Sequence, residues 1–224
     1  MKQSRQALVI GLGQFGLALA RALEENDVEV VAIDLQADRV ALAAERTTEA
    51  VQLDAMDEEQ LQRLAPASRD LAIVAIGDDS RESSIIVTAL LRQMGAPRII
   101  ARATEPLHER ILRLVGAHEV VNPERNFGER LAARLAYQGI LGVLPIGEDL
   151  AVTEITAPPQ LVGRSLRELE LPRRFEVNIV AMRRRRGSGD SRLVMPRADE
   201  LIEDGDVLLV ISTPAAARAL ADRR

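Results

Sequence analysis

The sequence ALVIGLGQFG at residues 7–16 carries the strongest indication of how this chain folds. Its apolar run at 7–10 is typical of a strand buried on both faces of a parallel sheet, and a helical pattern follows the glycines. In such a loop Gly11 allows a tight turn, Gly13 lets a ligand approach the backbone, and Gly16 lets the helix pack closely on the strand. The loop predicts nucleotide binding, because the N–H groups at the start of a helix attract phosphate. A tight turn in a sheet that binds nothing is the alternative.

An acidic residue ends the second predicted strand, about 20 residues beyond the glycine loop, where nucleotide-binding sheets place a ribose ligand. The carboxylate of this residue, Asp34, can accept hydrogen bonds from both ribose hydroxyls of an adenosine. Its charge would repel a 2′-phosphate. Asp34 therefore favours NAD(H) or an adenine nucleotide over NADP.

Short apolar segments alternate with helical patterns through the first half of the chain. The predicted strands cover residues 7–10, 28–33, 50–53, 71–76, 98–101 and 119–121. This alternation predicts an α/β fold with a doubly wound, Rossmann-like parallel sheet.

The pattern changes after Pro123. A long helix is predicted over 124–140, and glycine and proline residues end it. Short strands at 150–156, 178–182, 193–194 and 207–211, with a short helix capped by Ser165, then predict a small α+β lobe. We expect a nucleotide-binding domain over 1–122, a crossover helix and hinge over 123–144, and a C-terminal domain over 145–224.

Candidate ligand contacts follow the other predicted strands at the same edge of the sheet, where ligands of doubly wound folds bind. They are Asp54 with Ala55 after the third strand, Gly77 with Asp78 after the fourth, and Arg102 after the fifth, with His108 in the next helix. Helix capping is the alternative for the two aspartates, and a solvated surface position is the alternative for Arg102 and His108.

The composition excludes several classes of protein. The 224 residues carry a net charge of −5 and only 2% aromatic residues, which disfavours nucleic-acid binding. There is no cysteine, and Tyr137 is followed four residues later by Leu141, so the Tyr-x-x-x-Lys pair of short-chain dehydrogenases is absent. The longest wholly apolar run, 71–76, is far too short to span a bilayer. We therefore expect a ligand sensor without catalytic chemistry, with an NAD(H)-dependent oxidoreductase or a redox-sensing DNA-binding repressor as alternatives.

Motifs along the whole chain resemble one family. They are VIGLGQFG at 9–16, AID at 32–34, LDA at 53–55, VAIGDD at 74–79, IIARA at 99–103 and LVGAHEVVNPE at 114–124. The second half adds LVGRSLRELELPRRFEVNIVAMRR at 161–184 and VMPRADELIEDGDVLLVIST at 194–213. Together they resemble the RCK (KTN) regulatory subunits of Ktr/Trk potassium uptake systems, in their single-RCK form. The resemblance implies a Rossmann lobe followed by a small C-terminal RCK lobe.

The resemblance also implies ligands. ATP or ADP, and NAD(H) in some members, would bind the Rossmann lobe, and Mg²⁺ or Ca²⁺ would bind between subunits at Glu124, for which a simple first-turn acid is the alternative. The implied nucleotide-contacting residues are Gly11, Gly13, Gln14, Phe15, Gly16, Asp34, Leu35, Asp54, Ala55, Ile76, Gly77, Asp78, Arg102 and His108. Gln14 stands where Ktr-type members often carry an arginine that reaches a γ-phosphate, so discrimination between ATP and ADP is open.

The implied partner is a membrane-embedded K⁺-translocating subunit. Members of the family are cytoplasmic, pair through the crossover helix, assemble as octameric rings and associate peripherally with the inner face of the membrane. Some C-terminal lobes bind cyclic di-AMP, for which residues 178–182 and Pro196 would serve here, although many lobes lack that function. No nucleic-acid partner is implied.

Overall fold

The computed structural model of the protein describes residues 4–77, 80–147, 149–186 and 190–222. The chain forms two compact units, Met1–Arg125 and Asn126–Arg224. Within the described ranges, no helix is both long enough and apolar enough to cross a bilayer.

The first unit is built on a six-stranded sheet. Its strands are β1 (Arg5–Ile10), β2 (Val28–Asp34), β3 (Glu49–Gln52), β4 (Leu71–Val74), β5 (Ile99–Arg102) and β6 (Glu119–Val121). All neighbouring strands are parallel, in the order β3-β2-β1-β4-β5-β6. This order confirms the doubly wound, Rossmann-like sheet, whose topological switch point lies between β1 and β4.

Helices cover both faces of this sheet. They are α1 (Gln14–Glu24), α2 (Ala37–Ala44), α3 (Glu58–Arg63), α4 (Arg81–Gln93) and α5 (Pro106–Val115). In β1, Ala7 and Val9 pack in one core cluster with α1 and α2, whereas Leu8 and Ile10 pack in the cluster that receives α3, α4 and α5. Because residues 7–10 of β1 are buried on both faces, this part of the strand is continuously apolar rather than alternating.

The start of α3 is capped by the side chain of the residue that precedes it. The carboxylate of Asp57 accepts a hydrogen bond from the backbone N–H of Gln60 and so caps the helix. The side-chain amide of Gln60 and then its backbone N–H lower the pKa of Asp57, because both bonds favour the charged carboxylate.

Acid should therefore weaken this cap. A carboxyl group whose pKa is lowered by folding stabilises the protein above its unfolded-state pKa and loses that contribution as the pH falls through the folded-state value. We expect the difference in unfolding free energy between the protein and Asp57→Ala to shrink below about pH 4. Urea unfolding at several pH values measures it, and a constant difference down to pH 3 would contradict the assignment.

The second unit is a smaller α+β lobe. Its elements are β7 (Ile140–Pro145), β8 (Ala151–Thr156), α7 (Leu166–Leu169), α8 (Leu171–Phe175), β9 (Asn178–Arg186), β10 (Asp190–Val194), β11 (Val207–Ser212) and α9 (Pro214–Ala221). Its antiparallel sheet has the order β10-β9-β11-β8-β7, and its core packs residues such as Ile155, Met182 and Leu208. Ser165 caps α7 in a reciprocal capping box with Glu168, which confirms its predicted role.

The helix that follows β6 differs from the prediction. It is α6 (Pro123–Ala136), which begins in the first unit and continues into the second, and it ends before the predicted limit of residue 140. Gly139 has a φ of +83°, and Ile140 is buried and pairs with Ile155 of β8. Residues 140–144, which were predicted as the helix end and hinge, therefore belong with Pro145 to β7 of the second sheet. The apolar run fitted either element, and pairing with β8 selects the strand.

Candidate functional site

A cleft of about 510 Å³ lies at the carboxyl ends of the central strands, at the switch point of the sheet. Its lining comes from the glycine loop, from the last residues of β2 and β5, from the segment after β4, and from the starts of α2, α4 and α6. The lining residues are Gly11, Gly13, Gln14, Phe15, Asp34, Gln36, Arg39, Ala75, Ile76, Gly77, Ser80, Ser83, Arg102 and Glu124.

The three glycines of the loop have different surroundings. Gly11 has a φ of +94°, and a Cβ atom added there would lie 2.9 Å from the backbone nitrogen of Ile76. A Cβ added at Gly16 would lie 1.8 Å from the carbonyl oxygen of Gly11, so α1 could not pack on the loop. A Cβ at Gly13 would meet nothing within 4 Å. Gly11 and Gly16 therefore hold the loop in shape, whereas Gly13 leaves the cleft open beside the start of α1.

The carboxylate of Asp34 is buried at the base of the cleft and is fixed by backbone donors. Its Oδ2 accepts from Leu12 N at 2.6 Å, and its Oδ1 accepts from Gln36 N at 2.9 Å. Arg39 Nη1 lies 3.5 Å from the same Oδ2. Each carboxylate oxygen can accept more than one hydrogen bond, so a fixed Asp34 keeps acceptor capacity for the hydroxyl groups of a ribose.

A second charged pair lines the opposite side of the cleft. Arg102 Nη2 donates to Glu124 Oε1 at 2.5 Å. The Arg102 side chain is 15% exposed and that of Glu124 is 54% exposed. Arg102 also lies beside the loop after β4, where a Cβ added at Gly77 would be 3.6 Å from its Nη1. A planar guanidinium at this position can bind the phosphate of a ligand.

Several predicted residues lie outside the cleft lining. Leu35 is 64% exposed, and Ala55 is buried in the core. The Oδ1 of Asp54 accepts from Met56 N within a turn, and His108 is buried in α5. Gly16 supports the loop from behind, and Asp78 lies outside the described residues.

Sequence reasoning missed four polar residues of the cleft. Gln36 and Arg39 follow Asp34 at the start of α2, and Ser80 and Ser83 lie at the start of α4. All four stand where a helix begins after a strand that ends at the cleft. That position was a usable signal, because the starts of these helices face the same sheet edge as the strand ends.

Metal and second-messenger sites were also predicted. Among the described residues, no group of three or more His, Cys, Asp or Glu side chains could hold a metal ion. Glu124 lies in the cleft, paired with Arg102. Residues 178–182 lie in β9, next to β10 and β11, and Pro196 follows β10.

The Rossmann-type lobe with a cleft at its switch point, followed by a small antiparallel lobe, defines a protein of the RCK class. The TrkA-N domain model matches residues 7–123, and the TrkA-C domain model matches residues 150–223. The chain therefore belongs to the family of RCK proteins that carry a TrkA-N and a TrkA-C domain.

Curated relatives match nearly the whole chain. The Ktr system potassium uptake protein C of Bacillus subtilis (strain 168) is 35% identical over 93% of this chain and 92% of its own length. The Ktr system potassium uptake protein A of Vibrio alginolyticus is 30% identical over 92% of each chain. These relatives confirm the family resemblance.

Solved structures share the fold. The GsuK RCK domain aligns with a TM-score of 0.67 at 21% identity, over 99% of this chain and 48% of that one. The GsuK channel bound to NAD aligns with a TM-score of 0.68 at 22% identity, over 99% of this chain and 40% of that one. A GsuK structure bound to ADP aligns at 25% identity with a TM-score of 0.52, over 59% of this chain and 35% of that one. This chain thus spans less than half of each of these larger chains.

Proposed function

We propose that this protein is a cytoplasmic, nucleotide-sensing regulatory subunit of a Ktr/Trk-type potassium uptake system. The observation that carries the proposal is the fixed carboxylate of Asp34, which lies in an open cleft beside the glycine loop. Binding of a ligand there would favour one conformation of the assembled subunits over another and so control K⁺ uptake. No bond of the ligand needs to break.

The charges of the cleft favour an adenosine diphosphate group. Asp34 suits the ribose hydroxyls, and the start of α1 with Arg102 suits the phosphates. Gln14 can donate a hydrogen bond but supplies no charge for a γ-phosphate, so ADP and NAD(H) fit the described lining at least as well as ATP. The ADP-bound GsuK structure supports a ligand of this class.

The transported ion and the partner follow from the relatives. Both of the relatives described above are potassium uptake proteins, and each is matched over more than nine-tenths of its length. We infer a membrane-embedded K⁺-translocating subunit as the partner, with this chain held at the inner face of the membrane through that subunit.

The surface of α6 supports self-association. None of the fourteen residues of this helix, all of which are described, is buried. Phe127, Leu131 and Leu135 share one face at four-residue spacing, and Phe127 and Leu135 are 60% and 73% exposed. An apolar face of this kind on a helix favours pairing with the same face of a second copy. We propose dimers through α6 that assemble into an octameric ring, with Glu124 offering oxygen ligands to Mg²⁺ or Ca²⁺.

Phe127→Ala should weaken this pairing. Each dimer would lose the burial of two phenylalanine rings, about 3 kcal/mol in total, and we expect the dissociation constant to rise about a hundred-fold. Sedimentation velocity over a concentration series measures it. Glu129→Gln, on the opposite side of α6, is the matched control and should leave the constant unchanged. Equal association of both variants would contradict pairing through this face.

Native mass spectrometry with ATP, ADP, NADH and NADPH tests the nucleotide proposal. We expect one adenine nucleotide per chain and weaker retention of NADPH, because Asp34 repels a 2′-phosphate. Potassium-limited growth of cells that carry the membrane subunit, with and without this protein, tests its role in uptake. Absence of any bound nucleotide, or turnover of NADH with a carbonyl substrate, would overturn the proposal.

A further inference from the structure

The ion pair between Arg102 and Glu124 joins the cleft to the first turn of α6. Arg102 ends β5, and Glu124 is the second residue of α6. Both side chains line the cleft, and their 2.5 Å contact lies on the side opposite Asp34 and Arg39. A ligand that fills the cleft therefore meets an arginine that already holds the start of the helix.

We propose that a phosphate of the bound nucleotide takes Arg102 from Glu124 and so releases the first turn of α6. This inference rests on the proposed nucleotide binding and states how that binding would alter the start of α6. Recognition of the phosphate and release of the helix start would then be one event, in which Arg102 exchanges Glu124 for the phosphate. A ligand without phosphate, such as adenosine, would fill the ribose end and leave the pair intact.

The exposure of the two side chains favours the exchange. Glu124 is about half exposed, so water can replace Arg102 around its carboxylate, and exposed ion pairs are weak. Arg102 is mostly buried, so it stays at the cleft while its contact with Glu124 is exchanged for a phosphate. A diphosphate carries more charge than one carboxylate and can accept two parallel hydrogen bonds from a guanidinium. Phosphate should therefore win the competition for Arg102.

Other contacts of the α6 start lie outside the cleft lining. Arg125 N donates to Asn122 Oδ1 at 2.9 Å, and Asn122 Nδ2 donates to the carbonyl oxygen of Thr104 at 3.0 Å. Arg125 Nη2 also lies 3.4 Å from Glu109 Oε2, and hydrogen bonds from Arg113 and then Arg125 hold the pKa of Glu109 below its usual range. A ligand in the cleft would not touch these anchors directly. The Arg102–Glu124 pair is thus the contact of the α6 start that a ligand in the cleft would reach.

Calorimetry of Glu124→Gln with ADP and with adenosine tests the competition. EDTA is present throughout, so that no divalent cation contributes. Removing the competing charge should tighten ADP binding about three- to five-fold and leave adenosine binding unchanged. Glu105→Gln is the matched control, because Glu105 pairs with Arg81 through both oxygens and does not line the cleft. Unchanged or weaker ADP binding by Glu124→Gln would overturn the exchange.

Hydrogen exchange separates release of the helix from simple charge repulsion. In the unaltered protein, ADP should speed amide exchange in a peptide covering residues 123–131, whereas adenosine should not. Glu124→Gln without ligand should already exchange fast there. If ADP binds but leaves this peptide equally protected, the exchange of partners is wrong while nucleotide binding stands. If ADP does not bind the unaltered protein, the proposed function itself fails.

Discussion

Asp34→Ala should weaken ADP and NADH binding roughly 30-fold or more, about 2–3 kcal/mol for the loss of a charged hydrogen-bond acceptor. The carboxylate has two tasks that the substitution removes together. It would accept the ribose hydroxyls, and it accepts hydrogen bonds from Leu12 N and Gln36 N, which hold the glycine loop and the segment after β2 beside it. Isothermal calorimetry with ADP, NADH and adenosine measures the effect, and all three ligands should lose affinity because all carry the ribose.

A matched substitution separates the ligand from the fold. Asp70 also accepts a hydrogen bond from a backbone N–H, that of Gln6 at 2.8 Å, but it does not line the cleft. Asp70→Ala should leave ADP affinity within about two-fold of the unaltered protein, because it removes a comparable bond far from the ligand. Equal affinity of Asp34→Ala and Asp70→Ala for ADP would exclude Asp34 as the ribose acceptor.

The base of the cleft, which the glycine loop and Asp34 form, could be predicted from a local sequence motif. The glycine loop and Asp34 act through backbone geometry and through one acceptor at a fixed strand end, so their spacing along the chain determines their positions. The sheet order could be predicted for the same reason, because alternating strands and helices leave few right-handed arrangements.

Whether the other residues near the strand ends reach the cleft depends on how distant parts of the chain pack together. Asp54 lies just after β3, whereas Asp34 is the last residue of β2, and the carboxylate of Asp54 accepts from its own turn at Met56. Ala55 faces the core instead of the cleft. Arg39 lies at the start of α2, a position that pointed toward the cleft, but its approach to Asp34 depends on the direction that its side chain takes. The direction of a side chain at the end of an element depends on neighbours that are distant in sequence.

Gly16→Ala should lower the stability of the first unit by about 3 kcal/mol, the upper range for overpacking a filled site. Alanine in place of glycine normally stabilises a helix, by about 1 kcal/mol. Here the added Cβ would lie 1.8 Å from the carbonyl oxygen of Gly11 and 3.1 Å from Cβ of Ala75, so α1 must move away from the loop. We expect the melting temperature to fall by about 10 °C in scanning calorimetry, together with loss of ADP binding.

Gly13→Ala should have the opposite combination of effects, near-normal stability with weaker ADP binding. Together the two variants separate packing from ligand binding. Its Cβ meets no atom within 4 Å, and its φ of −64° suits alanine, so stability should change by less than about 1 kcal/mol. The methyl group would nevertheless stand where a phosphate must approach the start of α1, and ADP affinity should fall about ten-fold or more. One glycine thus serves packing and the other serves the ligand. If Gly13→Ala bound ADP normally, the phosphates would have to lie elsewhere in the cleft, and if Gly16→Ala melted normally, the close approach of α1 to the loop would be wrong.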